Sequence, residues 1–526
     1  MPTRYRAQAA PLAHGGDEEL IVKTLRVLLV DVSNVTLDTT VDMLEYPLGL
    51  VYVGTALRAA FGESVDVRIE SFEHKAGALA GLETILAEYR PDVLGLRSLT
   101  MGREPLHKIA SLAKWEYGIP YVIAGGPHAS DNPQDVLDNH AFDAAVIGEG
   151  ERTAAEFVGR ILEGGSLRGI PGLAVRNNGK AFLHAPRSPI EDLDELPIPD
   201  YSLVDVLGIN RGHVDFSFRR DTPHANLFTS RGCPYRCLYC HQVFGKHMRV
   251  HSAERIMQEI RTLHDTYGIR SFQIIDDIFN LDRERAMRFC DLVVREGLDL
   301  TLSFPNGLRG DRVDAEMVDA MWAAGVRYIS YAIESGSPRI QKLICKNLKL
   351  DRIQEAIALT TAKGIVTRGF FMIGFPTETE EEAAMTVEFA NSTDLVQAMF
   401  FAVVYFPGTP LFKLAESVWD MSEFELSLEE DYVRTREGPY AFSRETLEQI
   451  KLKAIREFFF SPKRVRLTFD VLPNFYSQRD IDAALLVNII SGQLRESDIA
   501  EPDTAAKLHR YFLVADRFSQ KEGFFV

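Results

Sequence analysis

Five short, nearly continuous apolar runs occupy the first part of the chain: Leu25-Arg-Val-Leu-Leu-Val-Asp31, then residues 65–70, 93–96, 121–124 and 144–147. Such dense runs read as parallel strands buried on both faces, because a strand with one wet face would alternate. Helix-like stretches such as residues 49–60 separate them. The alternation predicts an N-terminal doubly wound, Rossmann-like α/β domain over residues 23–165. A second series has strand-like runs at 226–230, 271–276, 301–304, 328–333, 366–374 and 398–406. Helical periodicity at 253–267, 283–296, 316–324 and 351–363 lies between them, giving six β/α units over residues 223–412. Residues 166–222, charged and proline-rich around Leu196-Pro-Ile-Pro-Asp200, read as a linker. From 413 to 526 the alternation ends. That mainly helical region carries Tyr432, Tyr440, Phe458, Phe459, Phe460, Phe475 and Tyr476, and is expected to cap the second domain and shape its cavity; core packing is the alternative for any one ring. Residues 1–22 show no sustained period and are expected to form a poorly ordered tail.

Composition adds limits. A chain of 526 residues with 46% hydrophobic and 25% charged residues is an ordinary globular protein of about three domains. Its net charge of -17 argues against nucleic acid as the main partner. No apolar run reaches the roughly 18 residues that span a bilayer, and residues 1–16 lack the apolar centre of a secretory leader. A cytoplasmic protein without a transmembrane segment is expected.

Chemistry concentrates in Ser230-Arg-Gly-Cys-Pro-Tyr-Arg-Cys-Leu-Tyr-Cys-His241, which holds three of the five cysteines as Cys233, Cys237 and Cys240. Clustered thiols suggest metal chemistry in a reducing compartment rather than disulfides. Three thiolates in one tight loop can converge on a soft metal or an iron–sulfur cluster, leaving one metal position open. A structural zinc site completed by His241 or His247 is the alternative, although zinc loops normally pair Cys-x2-Cys units. Cys290 and Cys345 lie in helix-like contexts and are expected to be buried packing residues. In the first domain the strand ends carry small residues: Ser98-Leu-Thr100, Gly125-Gly-Pro-His-Ala-Ser130 and Gly148-Glu-Gly-Glu151. Small residues there let a bulky ligand approach the backbone at the carboxyl edge of the sheet.

The Cys-x3-Cys-x2-Cys spacing, with aromatic Tyr239 before the last cysteine, resembles that of the radical S-adenosylmethionine (SAM) enzymes. That resemblance implies a partial (β/α)6 barrel of TIM type and a 4Fe-4S cluster on the three cysteines, with SAM chelating the open iron. It also implies that Tyr239 lies beside the adenine, that Asp276 and Asp277 hold the SAM ammonium, and that Asn306 and Arg309 line the active site. Ala332-Ile-Glu-Ser-Gly-Ser337 resembles the family's Gly-x-Glu-Ser-Gly-Ser, whose glutamate, here Glu334, contacts SAM. Gly369-Phe-Phe-Met-Ile-Gly-Phe-Pro376 resembles its fifth strand, where Gly374 would let adenine pack on the backbone.

Placed before such a motif, the first domain resembles the cobalamin-binding domain of the B12-dependent radical SAM family, over residues 25–415 in all. This implies that Ser98, Thr100, Gly125, Gly126, Pro127, His128, Gly148 and Glu149 surround cobalamin, chiefly its nucleotide tail, and that Tyr46, Pro47 and Leu48 lie near the corrin ring. Where relatives with a cobalt-ligating histidine carry Asp-x-His-x-x-Gly, this chain reads Asp31-Val-Ser-Asn-Val-Thr36. His74 follows the second strand instead, so no histidine is expected on cobalt from below. The activity implied is class B radical SAM methyl transfer: from methylcobalamin to an unactivated carbon of a small molecule, whether a lipid, a tetrapyrrole or a natural-product scaffold. Reduction would come from a flavodoxin or ferredoxin. Cyclisation or rearrangement without methyl transfer, an empty first domain that only binds substrate, and a non-enzymatic metal-binding interaction module stay open.

Overall fold

The computed structural model describes residues 24–32, 46–71, 78–209, 219, 222–240, 243–406, 409–422, 441–482 and 508–509. The expected tail at residues 1–22 and His74 lie outside these. The five apolar runs become parallel strands β1 (Leu25–Asp31), β2 (Val65–Ser71), β3 (Val93–Arg97), β4 (Tyr121–Gly125) and β5 (Ala144–Val146). Helices α1 (Leu48–Phe61), α2 (Ala78–Tyr89), α3 (Arg103–Trp115), α4 (Gly126–Asp131), α5 (Pro133–Asp138) and α6 (Gly150–Leu162) accompany them. Successive side chains of β1 enter opposite layers: Leu28 and Val30 pack on one face, Val27 and Leu29 on the other. That is why the run needs no polar alternation. The order β2-β1-β3-β4-β5 reverses between β1 and β3, and such a switch point opens a crevice at the strands' carboxyl ends.

The expected linker departs from prediction. It contributes β6 (Leu173–Asn177) and β7 (Lys180–Leu183), which extend the first sheet as antiparallel strands. Asn178 and Gly179 both adopt positive φ (50° and 74°), the conformation of a tight two-residue hairpin turn. Asn-Gly was the signal; the exposed, weakly apolar strand beside it hid the hairpin.

In the second domain β8 (His224–Leu227) leads to a small ladder of β9 (Ser230–Arg231) and β10 (Arg249–Val250), which brackets the cysteine loop. Strands β11 (Ser271–Ile274), β12 (Thr301–Leu308), β13 (Val326–Glu334), β14 (Val366–Ile373) and β15 (Gln397–Ala402) complete a six-stranded parallel sheet, in the order β15-β14-β13-β12-β11-β8. Its helices are α7 (Ala253–Tyr267), α8 (Arg283–Glu296), α9 (Ala315–Ala323), α10 (Pro338–Leu343), α11 (Leu350–Ala362), α12 (Glu380–Ser392) and α13 (Pro410–Glu416). Local chemistry fixes their ends. Ser252, Asp282, Asp314 and Ser337 accept N-cap hydrogen bonds, Thr379 and Glu382 form a capping box, and Gly268 and Gly297 end α7 and α8 with positive φ.

The described helices beyond residue 441 lie at the side and floor of the barrel rather than over its mouth; residues 423–440, 483–507 and 510–526 lie outside the described residues. Helix α14 (Arg444–Phe459) lies against β15, with Phe458 edge-on to Phe400. Beyond α15 (Pro462–Val471), Phe475 stacks on Tyr328 and joins Val366 and Val396 at the strands' amino ends. An open barrel leaves apolar residues at its floor, and these aromatics cover them. Tyr432 and Tyr440 lie outside the described residues. Among the described residues no helix is long and apolar enough to cross a membrane.

Candidate active site

The cysteine loop leaves β9 and returns through β10. Gly232, at φ 88°, passes so close to the His247 carbonyl that a Cβ would stand 2.3 Å from that oxygen, so only glycine fits. Cys237 is buried and Cys233 and Cys240 are partly so. Burial, followed by the facing Asp277 and Cys237, pushes the Cys240 thiol up to about 11, so an ionised set needs a cation to hold it. His247 is exposed beside Glu191, and among the described residues it joins no cluster of metal-ligating side chains; His241 lies outside the described residues. Cys290 is buried in α8, whereas Cys345, expected to be buried, is exposed and sits in a loop at φ 56°.

The strands' carboxyl ends place the other candidates. Asp276 and Asp277 diverge, as neighbours at a strand end must. Asp277 is exposed and lines a cleft above the loop. Asp276, expected beside the SAM ammonium, is instead fully buried and accepts hydrogen bonds from the backbone N–H and hydroxyl groups of Thr229 and Ser230. It braces the entry to the cysteine loop. A register shift in β12 between Phe304 and Leu308 turns Asn306 into the cleft, as bulges at barrel rims do; its amide donates to the Ile275 carbonyl. Arg309, expected to line the site, is paired with Asp311 and lies over the Tyr235 ring at 3.7 Å, so it supports the cysteine loop from outside. A second shift in β13 between Ala332 and Glu334, with Glu334 at φ 71°, aims that carboxylate at the loop. The Tyr239 hydroxyl and the Lys346 ammonium donate to it at 3.0 and 3.1 Å, and Tyr239 packs near Phe375. Gly374 donates its N–H to Glu378, which also accepts from Phe375; burial outweighs both bonds and pushes the Glu378 carboxyl up to about 7.

From the first domain, Gly49, Tyr52 and Val53 of α1, Arg97 at the end of β3, Gly125 at the end of β4 with Gly126 and Pro127 beyond it, and Gly148 and Glu149 after β5 line the same cleft, about 1520 Å³ with its open mouth included. Phe228, Arg231, Phe244, Asp277 and Asn306 face them from the barrel. Tyr46, Pro47 and Leu48, expected here, are buried one turn earlier; the Tyr46 hydroxyl donates to the Val206 carbonyl. Ser98 is buried with its hydroxyl on the Leu99 carbonyl, and Thr100 is likewise outside the lining. His128 is buried against Asp135, which His107 also contacts, both at 2.9 Å. Asn139, its carbonyl held by the Ala141 N–H, turns its NH2 toward His107 Nδ1. That leaves the His107 proton on Nε2, donating to Asp135, so the trio is a hydrogen-bonded cluster rather than a ligand set.

Comparisons with known proteins point the same way. The Radical SAM superfamily profile matches residues 227–390 and the B12 binding domain profile residues 35–158. An uncharacterized methyltransferase of Pyrococcus horikoshii is 33% identical over 398 residues, 75% of this chain and 84% of that one. The chain belongs to the cobalamin-dependent radical SAM methyltransferase family. The cytidylyl-2-hydroxyethylphosphonate methyltransferase of Streptomyces wedmorensis is 27% identical over 74% of this chain and 81% of its own. The radical SAM methyltransferase TsrM from Kitasatospora setae, solved with cobalamin and a 4Fe-4S cluster, shares the fold with TM-score 0.62 at 19% identity, over 83% of this chain and 88% of that one. OxsB, solved with aqua-cobalamin and SAM, does so with TM-score 0.67 at 16% identity, over 94% and 76%.

A cobalamin-dependent radical SAM methyltransferase uses a 4Fe-4S cluster, SAM and cobalamin, and the residues present fit all three. The cysteine loop offers three thiols and no fourth. The cleft floor is glycine and apolar side chains, and a Cβ added at Gly148 would meet nothing within 4 Å, room that a large flat ring requires. Among the described residues no histidine lines the cleft; residues 33–36 and His74 lie outside them. Sequence reasoning missed Lys346, Arg97, Arg231 and Glu378. Only Arg231 carried a usable signal, since it stands inside the cysteine motif.

Proposed function

We propose that this enzyme methylates an unactivated carbon of a small molecule held between the cysteine loop and the first-domain rim. The observation that carries the reading is the shared cleft: Asp277 and Asn306 border it from the barrel and Gly125 and Gly148 from the first sheet. Cys233, Cys237 and Cys240 would hold the cluster, Asp277 would face the SAM ammonium, and Glu334, held by Lys346 and Tyr239, would accept a hydrogen bond from SAM. Gly374 would lie along the adenine, its backbone fixed by Glu378 and by the Tyr405 hydroxyl on its carbonyl. Bound there, cluster and SAM supply hydrogen-atom abstraction and methylcobalamin a transferable methyl group. Each turnover replaces one substrate C–H bond by C–CH3 and consumes two SAM and two electrons. It releases methionine, 5′-deoxyadenosine carrying the abstracted hydrogen, and S-adenosylhomocysteine. The protein's own part is alignment and exclusion of water.

A flavodoxin- or ferredoxin-type donor in the cytoplasm would supply the electrons. The relatives' names include a cytidylylated phosphonate, a carbapenam thioether and a hopanoid as methyl acceptors, which supports a lipid or natural-product scaffold over a macromolecule. The test is anaerobic incubation of reconstituted enzyme with methyl-labelled SAM and cell extract. A labelled small molecule with both 5′-deoxyadenosine and S-adenosylhomocysteine is expected; 5′-deoxyadenosine with an altered but unlabelled product would instead indicate cyclisation or rearrangement.

A further inference from the structure

We propose that Arg231 is a positioning residue which, by gripping Glu151 and Glu149, sets the separation between the cysteine loop and the first-domain rim and so governs methyl delivery across the cleft. The inference rests on the methyltransferase reading above.

Arg231 stands two residues before Cys233. Its Nη2 donates to Glu151 at 2.6 Å and its Nη1 lies 3.3 Å from Glu149. Directly opposite in the β9–β10 ladder is Arg249, which donates to the same Glu149 oxygen at 2.7 Å and to the Ile190 carbonyl at 2.8 Å. Like charges directly across a strand pair repel, so Glu149 is what allows the two arginines to share the ladder. The four side chains are 5%, 5%, 9% and 2% exposed for Arg231, Glu151, Glu149 and Arg249. Two cations and two anions make a closed neutral group, and burial keeps solvent from softening its geometry.

Its position matters more than its strength. Glu149 and Glu151 flank Gly150 at the start of α6, on the loop whose Gly148 borders the cleft. Arg231 also lies over Tyr52 at 5.2 Å and Phe244 at 5.6 Å, cleft residues from opposite domains. Among the described residues, the ion pairs of Arg231 and Arg249 are those that tie the first-domain strand-end loops directly to barrel strands. Other ties run behind the cleft through the connecting segment: Arg58 to Asp200, Thr55 to the Asp200 N–H, and Tyr201 to Glu259. Loosening the front clamp therefore leaves the domains attached and lets the cleft widen. Reductive SAM cleavage depends on the barrel half alone, whereas methylation of cobalamin by SAM depends on the spacing between halves.

The test uses cluster- and cobalamin-loaded holoenzyme with SAM and reductant, no substrate being needed. In Arg231→Met and Glu151→Gln, S-adenosylhomocysteine formation is expected to fall about tenfold or more. 5′-Deoxyadenosine formation and iron content should hold, and Arg231→Lys should recover part of the loss. Arg58→Met, behind the cleft, should leave the product ratio unchanged. With cob(II)alamin as spin probe, the dipolar broadening between cobalt and reduced cluster should weaken in the two front variants. Equal loss of both products, an unchanged ratio, or unchanged broadening overturns the inference. A wild-type enzyme that forms no S-adenosylhomocysteine would overturn the methyltransferase reading instead.

Discussion

The two halves of the cleft are built in opposite ways. On the barrel side the buried acids are held by specific donors: Glu334 holds Tyr239 and Lys346 from a strained backbone, Asp276 takes four hydrogen bonds from Thr229 and Ser230, and Glu378 binds two backbone N–H groups. On the first-domain side the surface is glycine and apolar side chains, and its charged residues are turned to other work, Arg97 on Asp31 and Glu149 on the arginine ladder. A site that cleaves SAM needs atoms at fixed places, while a site for a broad macrocycle needs volume. Isosteric changes that break an ion pair or remove a ligand should therefore injure the barrel half, and changes of volume the other.

The largest effect tests whether the halves are separable. Cys237→Ala removes one of three cluster ligands and should abolish SAM cleavage, with iron content falling, while cobalamin absorption after reconstitution persists. Loss of cobalamin binding as well would break the comparison. The reciprocal change is Gly125→Val. Gly125 has an extended backbone (φ -146°) and an added Cβ would make only an ordinary 3.8 Å contact with Val146, so the fold tolerates it. The valine enters the cleft, and cobalamin affinity should drop about a hundredfold (roughly 3 kcal/mol of clash and lost contact) with 5′-deoxyadenosine formation retained. Equilibrium dialysis against cobalamin measures the first and product chromatography the second.

The same contrast explains what could be read from sequence. Strands buried on both faces announce themselves as apolar runs, so β1 to β5 and the barrel strands fall close to their expected places. The β6–β7 hairpin did not, because an edge strand carries little apolar signal. Glu334 sits in a hexapeptide that departs from the family motif only at its first position, Ala332 in place of glycine, and the cleft's glycines at 125, 126 and 148 follow from strand-end logic. Direction was harder. Asp276 and Asp277 are adjacent and chemically identical, and only the pleat of β11 decides which one faces the cleft. Helix α1 is apolar on nearly every side, so periodicity could not tell that Leu48, with Tyr46 just before the helix, packs into the barrel core while Gly49, Tyr52 and Val53 reach the cleft. Lys346 lies on a loop where Cys345 and Asn347 both have positive φ, a conformation no local pattern in those residues announces.

A smaller effect is expected from Glu334→Gln. The shape is unchanged, but Lys346 loses its ionic partner in a poorly solvated place, which is worth about 2 kcal/mol. The KM for SAM should rise roughly 30-fold with kcat less affected. The same change at the exposed Glu195, which pairs with exposed Arg152, should alter nothing measurable. If Glu334→Gln left the KM for SAM unchanged, the barrel half would not depend on fixed donors as argued.

The smallest effect is thermodynamic and comes from Glu378. Burial raises its carboxyl from 4.5 to about 7, so between those values the folded chain holds a proton that the unfolded chain has released. Stability from this group is present below about pH 4.5 and is lost as pH rises through 7, about 3 kcal/mol in all. His251 works in the other direction. Burial lowers it from 6.5 to about 4 despite its contact with Asp194, so the folded chain resists a proton that the unfolded chain accepts, and stability is lost as pH falls from 6.5 toward 4. In the native enzyme the two slopes oppose each other near pH 5.5, which hides both. Glu378→Gln removes one. Its melting temperature relative to the wild type should climb by about 5 °C between pH 5.5 and 8, measured on cluster-free protein so that acid lability of the cluster does not intrude. The amide introduced by this substitution still has an oxygen for the Gly374 and Phe375 N–H groups, so SAM cleavage at pH 8 should stay within about threefold of wild type. A flat difference across this pH range would mean that Glu378 is ionised throughout, and that the fifth-strand turn is held by charge rather than by hydrogen bonding alone.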